Sequence, residues 1–130
     1  AKDITLGSTT DPMAIVSGDR VRLEQVAANL IDNAIKYTSE GGAVKIIVTA
    51  DGSRARLSVK DNGVGISSEE QPRIWDRLFR GDQSRAERGL GLGLSLVKAI
   101  VSAHGGSVSV ESQPAKGSIF TVSLPRIPNP

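Results

Sequence analysis

The chain has 130 residues, no cysteine and a single histidine, His104. Disulfides and thiolate metal sites are therefore excluded, and no metal-histidine cluster can be assembled. Aromatic residues make up only 3%, too few for the stacking platforms that hold single-stranded nucleic acid. A strong excess of one charge is also lacking. The net charge is +2 despite a sequence pI of about 9.2, too weak an imbalance to argue for nucleic-acid binding. No apolar run reaches the roughly 18 residues of a membrane-spanning helix. The opening "AKDITLGSTTD" has no basic segment followed by an apolar core, so no signal peptide is expected. Repeats and low-complexity segments are missing too. What remains is a balance of 38% apolar and 23% charged residues. The length suits one domain, 1–130, with a real core, and a cytoplasmic setting is expected.

Two early runs, "DITL" and "MAIVS", read as strands separated by the turn-rich "GSTTDP". Asp19 is placed to N-cap a helix running to about Tyr37, with Leu23, Val26, Ala27, Leu30 and Ala34 on its buried face. "AVKIIVTA" and "SRARLSVK" read as strands joined at Asp51-Gly52. "GLGLGLSLVKAIVSAHGG" is glycine-rich, then helical, and stops at Gly105-Gly106. "SVSVES" and "SIFTVSLP" form a last pair of strands around "QPAKG". Helices among hairpin-linked strands imply an α+β, two-layer α/β sandwich, a mixed sheet covered by helices on one face and wet on the other.

The stretch "SVKDNGVGIS" poses a question. Ala55, Leu57 and Val59 share one phase of a strand, and Asp61 falls in that phase, toward the core. A buried carboxylate needs a partner or a shifted pKa. An Asx-turn after a strand explains Gly63 and Gly65, and accounts less well for the inward aspartate. A ligand with a hydrogen-bond donor on a flat apolar body, such as adenine, would explain both, because glycine lets a ligand approach the backbone. Phase alone leaves the two open.

Upstream, "NLIDNAIKY" places Asn29, Asn33 and Lys36 on one helical stripe beside the apolar face, with Gln25 joining it. This is either the solvated edge of an amphipathic helix or a polar wall for an anion. Asparagine can offer oxygen to Mg²⁺, and Lys36 can neutralise phosphate. Downstream, Gly89, Gly91 and Gly93 alternate with Leu90, Leu92 and Leu94 just before a helix, where free N–H groups favour phosphate. The pattern is neither a P-loop nor GxGxxG, and it also fits a hinge. Between the two glycine motifs, residues 68–90 carry Arg73, Arg77, Arg80, Arg85 and Arg88. They form a solvated surface or a lid that contacts phosphate. His104, at a helix end, is expected to bond the last carbonyls rather than act in catalysis.

In order and spacing, "NLIDNAIKYT", "DNGVGI", "RIWDRLFRGD", "GLGLGLSLVKAIVSAHGG" and "KGSIFTVSLP" resemble the N, G1, F, G2 and G3 boxes of bacterial sensor histidine kinases. The likeness spans about residues 12–125. It is to their catalytic and ATP-binding domain, a member of the Bergerat-fold ATPases. It implies a pocket between the helices and an ATP lid at about 68–90, with ATP and Mg²⁺ as ligands. By resemblance, Asn33 is the Mg²⁺ residue and Asn29 lines the same site. Lys36 lies on the phosphate side, and Tyr37 beside the nucleotide. Asp61 accepts from the adenine amine, with Gly63, Gly65 and Ile66 around it. Gly89, Leu90, Gly91, Leu92, Gly93 and Leu94 wrap the phosphates. Arg77, Phe79 and Arg80 belong to the F box, and Asn29, Lys36 and Arg80 form the implied catalytic set. Ser118, in phase with Phe120, stands near this site without an assigned role.

One position separates branches of the superfamily. ATP-hydrolysing relatives, type II topoisomerases and the Hsp90 chaperones, carry a glutamate base where this chain has Asn29. An amide cannot take a proton from water, which favours transfer to an outside acceptor. Trp75-Asp76 replaces the usual Phe-Glu of the F box conservatively. The family's phospho-accepting histidine, on a dimerisation helix with an acidic neighbour, has no counterpart here. The expected partners are thus the dimerisation domain of a parent kinase and, downstream, a response regulator. Nucleic acid and membrane contact are not expected, and the isolated domain is expected to be a monomer. The rival readings are a serine kinase of the anti-sigma-factor type on the same fold and a nucleotide-binding module without catalysis.

Overall fold

A computed structural model describes residues 4–76 and 91–127. Among these, the elements are β1 (Thr5–Thr10), α1 (Arg20–Tyr37), β2 (Ala43–Asp51), β3 (Arg54–Asp61), a single 3-10 turn (Gln71–Arg73), α2 (Gly91–Ala103), β4 (Ser107–Gln113) and β5 (Gly117–Pro125). The five strands form one mixed sheet in the order β1-β2-β3-β5-β4, with β1 parallel to β2 and every other pair antiparallel. The expected α+β sandwich is what the chain adopts.

Register fixes which residues meet the helices. Ile46, Val59, Phe120 and Val110 lie in one row across the sheet, and Val48, Leu57, Val122 and Val108 in the next. All of these but Val48 pack in one core with Val26, Leu30 and Ala34 of α1 and Val97, Ile100 and Val101 of α2. These are the helices' apolar stripes, so the helical layer covers this face. The opposite phase carries Lys45, Lys60 and the Ser58–Thr121 hydroxyl pair, a polar face as expected for a one-sided sheet.

The helix ends follow local chemistry. The Asp19 carboxylate accepts from the Arg22 N–H at 3.2 Å and caps α1. At the other end, the Thr38 hydroxyl, fully buried, donates to the Ala34 carbonyl at 2.8 Å. After α2, Gly106 N–H reaches the Val101 carbonyl and Gly105 N–H the Ser102 carbonyl, with Gly105 at φ +77°. This is a Schellman stop, which favours glycine at that position.

Two expectations are corrected. "MAIVS" is not a strand, and β1 instead runs through "GSTT". β2 offers partners from Ala43 to Val48 to the whole of Thr5–Thr10, so pairing overrides the weak propensity of Gly and Ser. Asp11 and Pro12 then end the ladder, with Met13 N–H turned back to the Asp11 carboxylate. Ala14 and Val16 are half-buried while Ile15 is exposed. The alternation thus reports burial without pairing, apart from Ile127 N–H donating to the Ile15 carbonyl. The second correction concerns α2, which starts at Gly91, so Gly91 and Gly93 sit in its first turn instead of before it.

Candidate functional site

Asp61 ends β3 in register with Val44 on one side and Ser118 on the other. Its row points into the helical layer, as the strand phase predicts, and the residue is 4% exposed. One carboxylate oxygen accepts the Gly63 N–H at 2.9 Å, and the Ser118 N–H also donates to it. Burial pushes the carboxyl pKa up, and these two N–H groups pull against that rise. Asp61 therefore makes an Asx-turn and is buried as well, so the turn and the inward phase hold together. The bonds described for it come from backbone.

The residues after Asp61 form a tightly tied loop. Asn62 accepts from the Ala43 N–H at 2.9 Å, and Val64 N–H donates to the Tyr37 carbonyl at 3.2 Å. Ile66 N–H donates to the Ser112 hydroxyl at 2.7 Å, and the Val64 carbonyl accepts from Ala115 N–H at 2.7 Å. Gly63 and Gly65 are set by this packing. A β-carbon at Gly63 would strike the Tyr37 carbonyl, and one at Gly65, where φ is +74°, would strike the Gln113 carbonyl. The close approach they permit is chain on chain.

Ser112 joins the loop to the strands. Its hydroxyl receives Ile66 N–H, donates to the Gly117 carbonyl at 2.8 Å and lies 2.8 Å from the Ser118 hydroxyl. Sequence reasoning gave Ser112 no role, since an alternating serine on an edge strand looks like surface. Gln71 completes the frame by donating to the carbonyls of Ile66 and Ser112 at 2.9 and 3.0 Å. The adjoining Ile74 is buried, and Trp75 meets Phe120 edge-on with ring centroids 5.8 Å apart. Such a pair adds about 0.5–1.5 kcal/mol beyond burial. Residues 68–76, the first part of the expected lid, are thereby held to the core.

A second cluster lies between the helices. Asn29, Asp32 and Asn33 of α1 share a cleft with Gly93 and Leu94 of α2. The Asn29 amide donates to the Gly93 carbonyl at 3.4 Å. The expected Asn29–Asn33 stripe thus faces the start of α2, and Asp32 is an added member that the sequence reading passed over. Lys36 and Tyr37 are half-buried on the last turn of the same helix. Gly93 has open space where a β-carbon would stand. The N–H groups of the first helical turn have no partner within the helix. Of Gly91 and Leu92 only the helical backbone is described; Arg77, Phe79, Arg80, Gly89 and Leu90 lie outside the described residues.

The donor set constrains any metal. Among the described residues no three His, Cys, Asp or Glu side chains are grouped to hold an ion. Neutral amide oxygens beside one carboxylate suit Mg²⁺, which keeps waters and takes most of its ligands from phosphate. Among the described residues, no helix is long and apolar enough to cross a membrane.

Comparison with known proteins bears on this geometry. Residues 18–128 match the family described as histidine kinase-, DNA gyrase B- and HSP90-like ATPase. Over 114 residues, 86% of the chain, the sequence is 43% identical to the sensor-like histidine kinase SenX3 of Mycobacterium tuberculosis. That stretch is 28% of SenX3, so the chain spans under a third of this relative's length. Among solved structures, the mycobacterial sensor histidine kinase MprB superposes with a TM-score of 0.87 at 34% identity, covering 98% of this chain and 86% of that one. Full-length ShkA in complex with AMPPNP gives 0.83 at 31%, covering 97% and 26%. The histidine kinase ThkA in complex with the response regulator TrrA gives 0.77 at 31%, covering 95% and 34%.

Proposed function

Because the chain belongs to the histidine kinase-, DNA gyrase B- and HSP90-like ATPase family, we propose that it is the Mg-ATP-binding catalytic domain of a sensor histidine kinase. It transfers the γ-phosphate of ATP to a histidine on the dimerisation domain of the parent kinase, from which a response regulator draws the phosphate. The reaction takes place in the cytoplasm. The observation that carries this reading is Asp61: a carboxylate 4% exposed, raised in pKa by burial and bonded by backbone N–H groups. A ligand that brings an amine on a flat apolar body suits such a group, and adenine is that ligand.

Each residue then has a part. Asp61 accepts from the exocyclic amine of adenine and sets the base. The first-turn N–H groups of α2 and the Lys36 ammonium stabilise phosphate charge. Asn33 offers its amide oxygen to Mg²⁺, with Asn29 lining the same cleft. When bound there, Mg²⁺ would supply positive charge to offset the negative charge of the phosphates during transfer. Arg80, of the F box, keeps the place in the catalytic set that the resemblance implies. Asn29 cannot act as a base toward water, so the bound nucleotide waits for an incoming imidazole. Catalysis is then positioning and electrostatics.

The test mixes the domain with separate histidine-bearing dimerisation domains and γ-labelled Mg-ATP. The expected product is an acid-labile phosphohistidine on the added domain. An acid-stable phosphoserine would replace this reading with a serine kinase of the anti-sigma-factor type. Nucleotide binding without any transfer would leave a binding module.

A further inference from the structure

The two helices that form the Asn29–Gly93 cleft are also joined at their far ends, by His104. Its Nε2 accepts the backbone N–H of Asp19, the N-cap of α1, at 3.0 Å. Its Nδ1 lies 2.8 Å from the Ile100 carbonyl in the last turn of α2. One species satisfies both contacts: the neutral imidazole with its proton on Nδ1. Gly18 supports the same geometry. Its φ is not positive, yet a β-carbon there would run into Cδ2 of His104. Glycine is needed at 18 because the imidazole lies over it.

The helices run antiparallel, and a hydrogen bond ties each end of α2 to α1, His104 at the α1 N-cap and Gly93 at Asn29 in the middle of α1. From Asp19 to Asn29 is ten residues, and from Gly93 to His104 eleven. At about 1.5 Å per helical residue, the two bonds are on the order of 15 Å apart. A slide of α2 along α1 would break the His104 bond and move Gly93 away from Asn29 and Asn33. Beside these two bonds, Val26 and Leu30 of α1 and Val97, Ile100 and Val101 of α2 share the apolar core. We propose that His104 is a positioning residue for the nucleotide site: as a neutral imidazole it pins the end of α2 to the start of α1, and so sets where the first turn of α2 stands against Asn29 and Asn33. The phosphate-binding role of that cleft rests on the proposed function; the pin itself does not.

Protonation removes the pin, because an imidazolium has no acceptor for the Asp19 N–H. The charged groups around the ring are otherwise engaged. The Asp19 carboxylate caps Arg22 N–H. Arg126, across a cavity of about 240 Å³ that the ring borders with Leu23 and Leu124, donates to the carbonyls of Gly52 and Met13. Arg20 is paired with Glu24 at the exposed start of α1.

The test uses His104→Gln, which keeps a neutral donor and acceptor and does not titrate, His104→Leu, which keeps neither, and Gly18→Ala, which displaces the ring. Affinity for a non-hydrolysable Mg-ATP analogue is measured from about pH 8 down to about pH 5.5. Asp61 and the phosphates titrate in every protein, so the difference between variants belongs to His104. At the higher pH, His104→Gln should bind like the wild type, while His104→Leu and Gly18→Ala bind about three- to tenfold more weakly. Wherever acid protonates the ring, the wild type should lose about that factor more than His104→Gln. In the nucleotide-free protein, the Gly93 and Leu94 amide resonances should follow the titration of His104. Folded variants with wild-type affinity and pH profile, and a fall in melting temperature alone, would each overturn the proposal. So would Gly93 and Leu94 resonances that stay still while His104 titrates. Failure of the wild type to bind nucleotide would instead overturn the ATP reading, and the amide resonances would still decide the pin.

Discussion

At Gly63 and Gly65 a β-carbon would strike the backbone of Tyr37 and of Gln113, whereas at Gly93 it would enter open space. The same residue type serves two purposes at the two ends of the site. At the Asp61 end, glycine lets the chain close on itself, and hydrogen bonds from α1, β2, β4 and the 71–73 turn hold the loop. At the Gly93 end, the described link across the cleft is one bond of 3.4 Å from Asn29. The Asp61 end, which we propose as the base end, is thus built by the fold. The Gly93 end, which we propose as the phosphate end, is open among the described residues.

The contrast can be broken most strongly at Gly65. With φ at +74° and the Gln113 carbonyl in the way, Gly65→Ala should lower stability by about 2–4 kcal/mol in denaturant unfolding. Near-wild-type stability would mean that the base end is not held as described. Next comes Asn33→Ala, which should leave the melting temperature nearly unchanged and reduce the Mg²⁺ enhancement of nucleotide affinity by about tenfold. An identical Mg²⁺ titration would remove Asn33 from the site. Gly93→Ala sharpens the comparison with a smaller effect. Stability should hold or rise, by at most about 1 kcal/mol, while nucleotide affinity falls. A loss of stability like that at Gly65 would erase the difference between the two ends.

The smallest effect concerns pH. Burial raises the Asp61 pKa above its ordinary value, so the folded state holds the proton more tightly than the unfolded chain. Between the ordinary and the raised value the native state carries more protons, and stability falls as pH rises through that window. Lowering the pH from neutral into the carboxylate range should therefore stabilise the wild type relative to Asp61→Asn. Parallel unfolding curves for the two proteins across that range would show that the carboxylate is not destabilised by burial.

Strand phase alone predicted the inward turn of Asp61, because a period of two needs no tertiary knowledge. Helical spacing likewise predicted that Asn29 and Asn33 share a face, while its contact with the start of α2 is a tertiary fact. Three features were not legible. β1 forms from "GSTT" only because β2 lies beside it, and the partner's register is a long-range fact. Ser112 becomes a junction through contacts with Ile66, Gly117 and Ser118, and a serine on an alternating strand carries no mark of that. For His104, the bond to Ile100 follows from its place at a helix end, while the bond to Asp19 crosses 85 residues. Local pattern predicts which way a side chain points, and what it meets there is set by topology.

The central claim is that Asp61 reads adenine in a loop already formed by the fold. Calorimetric titration of a non-hydrolysable Mg-ATP analogue into the wild type and Asp61→Asn tests it directly. Asparagine keeps an oxygen for Gly63 N–H and replaces the other with a second donor group, which cannot accept from the adenine amine. The predicted result is a folded Asp61→Asn domain whose affinity is lower by about 10- to 100-fold or is lost entirely. Equal affinity in the two proteins would contradict the assignment of Asp61 and, with it, the reading of the site.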